Sequence, residues 1–191
     1  MVNSQPHHST LTKRVRGHCS KVGVARAKRI GRLRKQKERK VITESIDQLE
    51  LMEVWYENDP TMRLKVNFPF FLGTGTKSTA IVYFEIEPGH RLGTHTDSAE
   101  EILLILEGEA EVSLGDEQGR LSAGEMALVP AMVLHGMRNV GDETVRVVGF
   151  FPSNVVVATF DQPMMPFNQR VVTTPLPVFE EDQAPTREAS V

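Results

Sequence analysis

Four residues whose types suit metal chemistry stand in two stretches of the chain. In PGHRLGTHTDSAEEILLILEGEA, His95 and Asp97 are two positions apart, so on a β-strand both side chains leave the same face. Glu101 opens the next apolar run, with Leu103 and Ile105 on its own face. Further on, AGEMALVPAMVLHGMRNVG puts His135 on a strand that follows a turn at Pro130. Two imidazoles and a carboxylate converging inside a barrel make a divalent-metal site with positions left for substrate or water. A His-x-Asp pair is also common on solvated strands. The spacing alone therefore admits a metal-free barrel in which His95 and Glu101 pair and His135 is a buried polar residue.

Aiming these side chains requires strands, and from residue 41 onward the chain is a series of them. Residues 62–68 alternate apolar and polar, 79–86 are rich in β-branched and aromatic types, 102–106 are continuously apolar, and 109–114 alternate again. Further candidates are 119–121, 126–129, 133–138, 144–151 and 155–160, with glycines or prolines between most of them. Many short strands at this spacing, with no long amphipathic helix between them, indicate an all-β sandwich or barrel. Residues 44–57 suit one short helix or an edge strand. Residues 161–191, with five prolines and no glycine, read as an extended strap holding one strand at 169–173.

Charge divides the chain. It has 191 residues with 22 Lys plus Arg and 25 Asp plus Glu, for a net charge of −3. Residues 1–40 hold 13 of the basic residues and a single acid, Glu38, while all twelve aromatics lie at or beyond Trp55. Residues 1–40 are thus expected to be a disordered or partly helical basic arm, unable to bury a core, and 41–191 an acidic domain that folds alone. The arm's composition suits a solvated tail, residues upstream of the true start, or an organelle transit peptide. Contact with nucleic acid is a lesser alternative. No run of 18 apolar residues exists, so no membrane-spanning helix is expected. Cys19 is the only cysteine, which excludes an internal disulfide and points to a reducing, cytoplasmic setting. The sequence has no Gly-x-x-x-x-Gly-Lys or Gly-x-Gly-x-x-Gly phosphate cradle and no Gly-x-Ser-x-Gly nucleophile turn.

The spacing Gly89, five residues, His95, one residue, Asp97, three residues, Glu101, six residues, Gly108 resembles the first motif of the cupin family. Gly124, five residues, Pro130, then His135 and Asn139 resemble the second, and the fifteen residues 109–123 between them fit the compact microbial members. The resemblance covers about residues 60–155. It implies a double-stranded β-helix (the jelly-roll barrel), usually dimeric, and carries metal-ligand roles onto His95, Glu101 and His135. Two positions depart from it: Asp97 stands where the family usually has a second histidine, and Met132 where it has a glycine. Asp97 either ligates as a carboxylate or turns to water. An extra carboxylate would favour Fe(II), Mn(II) or Ni(II) over copper. Met132 requires a turn without a left-handed residue, or some strain.

The expected cofactor is one divalent ion per chain, Fe, Mn, Ni or Zn, on His95, Asp97, Glu101 and His135. The expected substrate-binding residues at the barrel mouth are Tyr83, Arg91, Met126, Met137 and Phe151. Most of these are apolar and suit a planar or aliphatic organic ligand better than a polyanion. Two histidines and a carboxylate with open positions resemble the facial triad of non-haem Fe(II) oxygenases. The expected function is therefore dioxygenase-like, with Glu101 able to double as catalytic proton acceptor. The alternative is a non-catalytic metal or small-molecule sensor; a sugar isomerase or epimerase is the weaker third. A homodimer is expected through barrel edges or the segments 42–57 and 163–179.

Overall fold

Buried and exposed side chains alternate along most strands, because each wall of the molecule has one face on a shared apolar interior and one on solvent. The computed structural model describes residues 41–174; the basic arm of residues 1–40, and residues 175–191 of the expected strap, lie outside the described residues. The strands are β1 (Met52–Tyr56), β2 (Asp59–Phe70), β3 (Ala80–Ile86), β4 (Arg91–Asp97), β5 (Glu101–Glu107) and β6 (Glu109–Leu114). They continue as β7 (Glu117–Ser122), β8 (Met126–Val129), β9 (His135–Asn139), β10 (Val145–Phe151), β11 (Val157–Met165) and β12 (Gln169–Thr173).

These strands form one rolled sheet in the order β7-β6-β9-β4-β11-β1-β2-β3-β10-β5-β8, with β12 on β11 and a parallel contact between β2 and β4. The sheet closes on itself as the expected jelly-roll barrel. Val82, Phe84, Leu103, Ile105, Val145 and Val147 fill it from the wall of β3, β10 and β5, and meet Val112, Met137, Phe160 and Met164 from the other wall. Among the described residues no helix is long and apolar enough to cross a membrane.

Residues 44–57 contain both expected elements, a 3-10 turn at Ile46–Gln48 and the strand β1. Residues 161–174 are more regular than the expected strap. Strand β11 runs on to Met165 and pairs with β12, because Met164, Phe167 and Val172 give this stretch buried side chains of its own. Asn139 closes the end of the barrel by donating from its amide nitrogen to the carbonyls of Ile86 and Glu143, both at 2.8 Å.

Met132 adopts a left-handed backbone, φ 64°, so the turn keeps the geometry for which the family uses glycine. It does so because the Met132 N–H donates to the carbonyl of Asp97 at 2.8 Å, tying the turn before β9 to the strand that carries two candidate ligands. The side chain is 65% exposed and contributes little packing. A left-handed non-glycine residue costs roughly 1–2 kcal/mol, partly offset by glycine's greater freedom in the unfolded chain. Met132→Gly is thus expected to stabilise the protein by about 0.5–1 kcal/mol and raise Tm by about 2–4 °C. A lower Tm in a thermal melt would show that the turn is unstrained.

Candidate metal centre

Strand β4 turns His95 and Asp97 into the barrel. Its antiparallel neighbour β9 sets His135 directly opposite His95, with ring centroids 4.1 Å apart. On the other side β11 pairs Phe160 with His95, and the two rings stack at 4.5 Å. Glu101 enters from the start of β5. Gly149 on β10 leaves the room it needs, since a β-carbon there would collide with the Glu101 carboxylate.

Hydrogen bonds fix the imidazoles. His95 Nδ1 lies 2.8 Å from the Gly93 carbonyl and His135 Nδ1 3.0 Å from the Val133 carbonyl. A carbonyl only accepts, so each Nδ1 carries the proton and each Nε2 turns to the interior. Asp97 Oδ2 lies 3.5 Å from His95 Nε2 and 3.3 Å from His135 Nε2. Glu101 Oε2 lies 3.7 Å from His135 Nε2. One donor atom from each of His95, Asp97 and His135 falls within 4.8 Å of the others, and Glu101 flanks this trio.

The fit to a divalent cation rests on what these atoms lack. Asp97 Oδ2 and His135 Nε2 are fully buried and have no hydrogen-bond partner. At 3.3 Å they attract as charges but are not aligned as donor and acceptor. Buried polar atoms are normally satisfied, and orphans call for an ion or water. A cation among the three residues would satisfy both orphans, and the tethered Nδ1–H groups are the outer support that metal-ligating histidines use.

The electrostatics are polarised in the same sense. Burial opposes ionisation of Asp97, but His135 and His95 outweigh it and bring its carboxyl down to about 2. Burial likewise disfavours a charged His135, but Asp97 and then Glu101 outweigh it and raise the imidazole to about 10. Glu101 is raised, chiefly by burial, with His135 opposing.

Beside the trio lies a cavity of about 80 Å3. Its walls include Val82, Phe84, Phe151, Phe160, Met164 and Val172; its polar lining is His95, Asp97, Glu101, Thr173 and Thr174, and among the described residues no Lys or Arg reaches it. Of the five expected substrate residues, Phe151 lines this cavity and four do not. Tyr83 lies on the opposite face of β3 from Val82 and Phe84, where its hydroxyl donates to Glu85 and accepts from Arg146. Met126 faces outward on β8, since it pairs with Leu104 while Val129 pairs with Glu101 on the inner face. Arg91 points outward because the register shifts between Leu92 and His95, and it bonds Asp59 at 2.6 Å in a polar groove shared with Arg138. Met137 is buried in the core away from the cavity.

Sequence reasoning missed Phe160 and Gly149. A glycine inside an apolar strand signals close approach of another group, so Gly149 could have been suspected. The Phe160 stack depends on β11 pairing with β4, which no local pattern announces.

Comparison with known proteins agrees with this fold. The sequence matches the cupin domain family over residues 82–151. It is 38% identical over 64 residues to a Streptomyces cyaneus protein described as polyketide synthase CurC, covering 33% of this chain and 42% of that protein. The chain thus spans less than half of the curated relative it matches. Among solved structures it is similar to an oxalate decarboxylase from Lactobacillus farciminis in complex with formate (TM-score 0.50, 18% identity, 58% of this chain and 33% of that one). It is also similar to a putative sugar phosphate isomerase from Acidithiobacillus ferrooxidans (TM-score 0.50, 19% identity, 60% and 76%). At these identities the structural likeness speaks for the fold. With both motifs in place on a jelly-roll barrel, and residues 82–151 matching the family in sequence, this part of the chain is a cupin domain.

Proposed function

We propose that His95, Asp97 and His135 hold one divalent metal ion and that the chain is a metal-dependent, dioxygenase-like oxidoreductase acting on a small organic substrate. The observation that carries this reading is the pair of orphaned buried atoms, Asp97 Oδ2 and His135 Nε2, the first of them on a residue that lines an apolar cavity. A bound Fe(II), Mn(II) or Ni(II) ion would supply Lewis acidity and open positions for chelating oxygens or O2. The protein's own part is to orient, exclude and transfer. The Nδ1 tethers and the Phe160 stack hold the imidazoles in place. The apolar walls keep bulk water from the reacting end of the substrate. Glu101, whose carboxyl burial pushes toward the protonated form, exchanges a proton with a substrate hydroxyl or enol placed over the trio.

The walls also favour a substrate class. With two carboxylates and no Lys or Arg among the described residues that line it, the cavity wall gives a dianion such as oxalate or a sugar phosphate no counter-charge. A phenol, catechol or β-dicarbonyl with an apolar body fits better, and the polyketide name of the Streptomyces relative supports oxygenated carbon skeletons of that kind.

The test is to measure the metal content of purified protein, reload it with Fe(II), Mn(II) or Ni(II), and follow O2 uptake with catechols and β-diketones. Uptake that tracks metal content and disappears in His95→Ala supports the proposal. Metal and ligand binding without turnover would make the protein a binding cupin. Absence of any metal affinity tighter than about 100 μM, roughly 5.5 kcal/mol, would refute the metal reading itself.

A further inference from the structure

Strands β4, β9, β6 and β7 turn their outer faces to a polar groove of about 410 Å3. Alternation along β9 puts Gly136 and Arg138 on this face and His135 on the inner one, so the groove lies across the wall from the candidate metal ligands. Two rows of side chains cross it. In the first, Arg138 of β9 stands opposite Arg91 of β4 and opposite Glu111 of β6. In the second, Gly136 stands opposite Ser113 and Ser113 opposite Gln118, with Thr94 on the far side. Gly136 leaves the floor of this second row open. A β-carbon there would stand 3.4 Å from the Leu92 carbonyl oxygen and 3.5 Å from Ser113 Oγ.

The charges of the first row are incompletely matched. Arg91 bonds Asp59 at 2.6 Å, and Asp59 also accepts from the Thr61 N–H and hydroxyl, so that carboxylate is already occupied. Arg138 and Glu111 face each other on neighbouring strands, yet neither has a hydrogen-bond or ion-pair partner among the described residues. Arg138 also stands directly opposite Arg91, and like charges in that register repel. The row therefore holds two adjacent guanidinium groups beside a free carboxylate. With Asp59 included, the groove has two arginines and two acids and no net charge.

We infer that this groove binds a small zwitterion, an α-amino acid with a polar, uncharged side chain. Its carboxylate meets the guanidinium groups of Arg138 and Arg91, its ammonium group meets Glu111, and its side chain runs over Gly136 toward Ser113 and Gln118. Charge selects this class. A carboxylate between the two arginines relieves their repulsion through charge-assisted bonds, which are roughly twice as strong as neutral ones. A dianion such as phosphate would meet Asp59 and Glu111 along with the arginines. A neutral polyol would leave Arg138 and Glu111 without counter-charges. An apolar ligand would find only Leu92 and Met137 among the lining residues. None of the groove's side chains is a candidate metal ligand, so the inference is independent of the metal reading.

The experiment titrates the full-length chain with L-glutamine as probe, by calorimetry and by the amide NMR signals of Thr94, Ser113 and Gly136. The expected result is a Kd below about 1 mM, with shifts centred on those three amides. Arg138→Gln and Glu111→Gln should each weaken binding at least about tenfold, the scale of one hydrogen bond to a charged group. Arg138 is exposed and Glu111 half-buried, and neither is bonded, so both variants should keep the wild-type circular dichroism spectrum and metal content. Acetate and ethylammonium, each carrying one of the two charges, should bind at least about tenfold more weakly than L-glutamine. His95→Ala, on the other face of the wall, should leave glutamine binding unchanged. No binding up to about 10 mM overturns the inference. So does acetate or L-leucine binding as tightly as L-glutamine, or glutamine binding that both groove variants preserve. Loss of binding in His95→Ala with both groove variants unaffected would put the amino acid on the metal centre, and overturns it too.

Discussion

Asp97→Asn in the full-length protein is expected to lower divalent-metal affinity at least about 100-fold, beyond the range for a residue that only supports a ligand from behind. Family resemblance carries the ligand roles onto His95, Glu101 and His135 and leaves Asp97 open. The geometry ranks them differently. Asp97 Oδ2 is the carboxylate oxygen that approaches both Nε2 atoms, at 3.5 and 3.3 Å, whereas Glu101 Oε2 approaches His135 alone at 3.7 Å. Asn keeps the size and loses the charge, so the change removes the trio's anion without opening a cavity. Glu101→Gln should cost about tenfold or less, because Glu101 flanks the trio and burial already weakens its charge. Calorimetric titration of chelator-stripped protein with Mn(II), Ni(II) and Zn(II) measures both. If Asp97→Asn binds within tenfold of wild type while Glu101→Gln loses the metal, the ligand set is the one the resemblance implies and Asp97 is peripheral.

How far the sequence could be read follows from where local rules apply. The barrel strands were readable because alternation and turn glycines are local signals: residues 102–106 and 109–114 lie within β5 and β6, joined at Gly108 with its left-handed backbone. His95 and Asp97 were readable as a pair because strand parity is local too. Parity fails where a register slips. Arg91 and His95 are four apart and should share a face, but the irregularity between Leu92 and His95 turns Arg91 outward. Tyr83 and Met126 fail for another reason. Both are the wrong parity for the cavity, and their apolar character reflects an outer face that is itself apolar, so a rule that sends apolar residues inward misassigns them. Met132 shows the opposite case, in which the turn geometry survives the loss of the residue type that usually marks it.

Metal affinity is expected to keep rising with pH well beyond the ordinary imidazole range. A histidine near its usual value of about 6.5 would leave affinity flat above pH 7.5 or so. His135 is different, because Asp97 and Glu101 outweigh burial and hold its proton in the metal-free protein up to about 10. Nε2 must release that proton before it can donate a lone pair. Apparent Kd should therefore fall about tenfold per pH unit from pH 6.5 to 9, with close to one proton released per ion bound at pH 7.5. Asp97, held at about 2, is ionised throughout this window and contributes no proton. Stability of the metal-free protein should move the other way. A raised histidine pKa contributes stability that is complete below the unfolded value near 6.5 and is lost as pH rises through about 10. The stripped protein should thus lose Tm progressively between pH 7 and 10. The loaded protein should hold its Tm over the same range, since the cation replaces the proton between the two carboxylates. Calorimetry in buffers of different ionisation enthalpy gives the proton count, and melts of stripped and loaded protein give the two slopes. Affinity that levels off at pH 7.5 with no proton released would mean that His135 is neutral in the metal-free barrel, and the ion pair with Asp97 would then have no part in shaping the site.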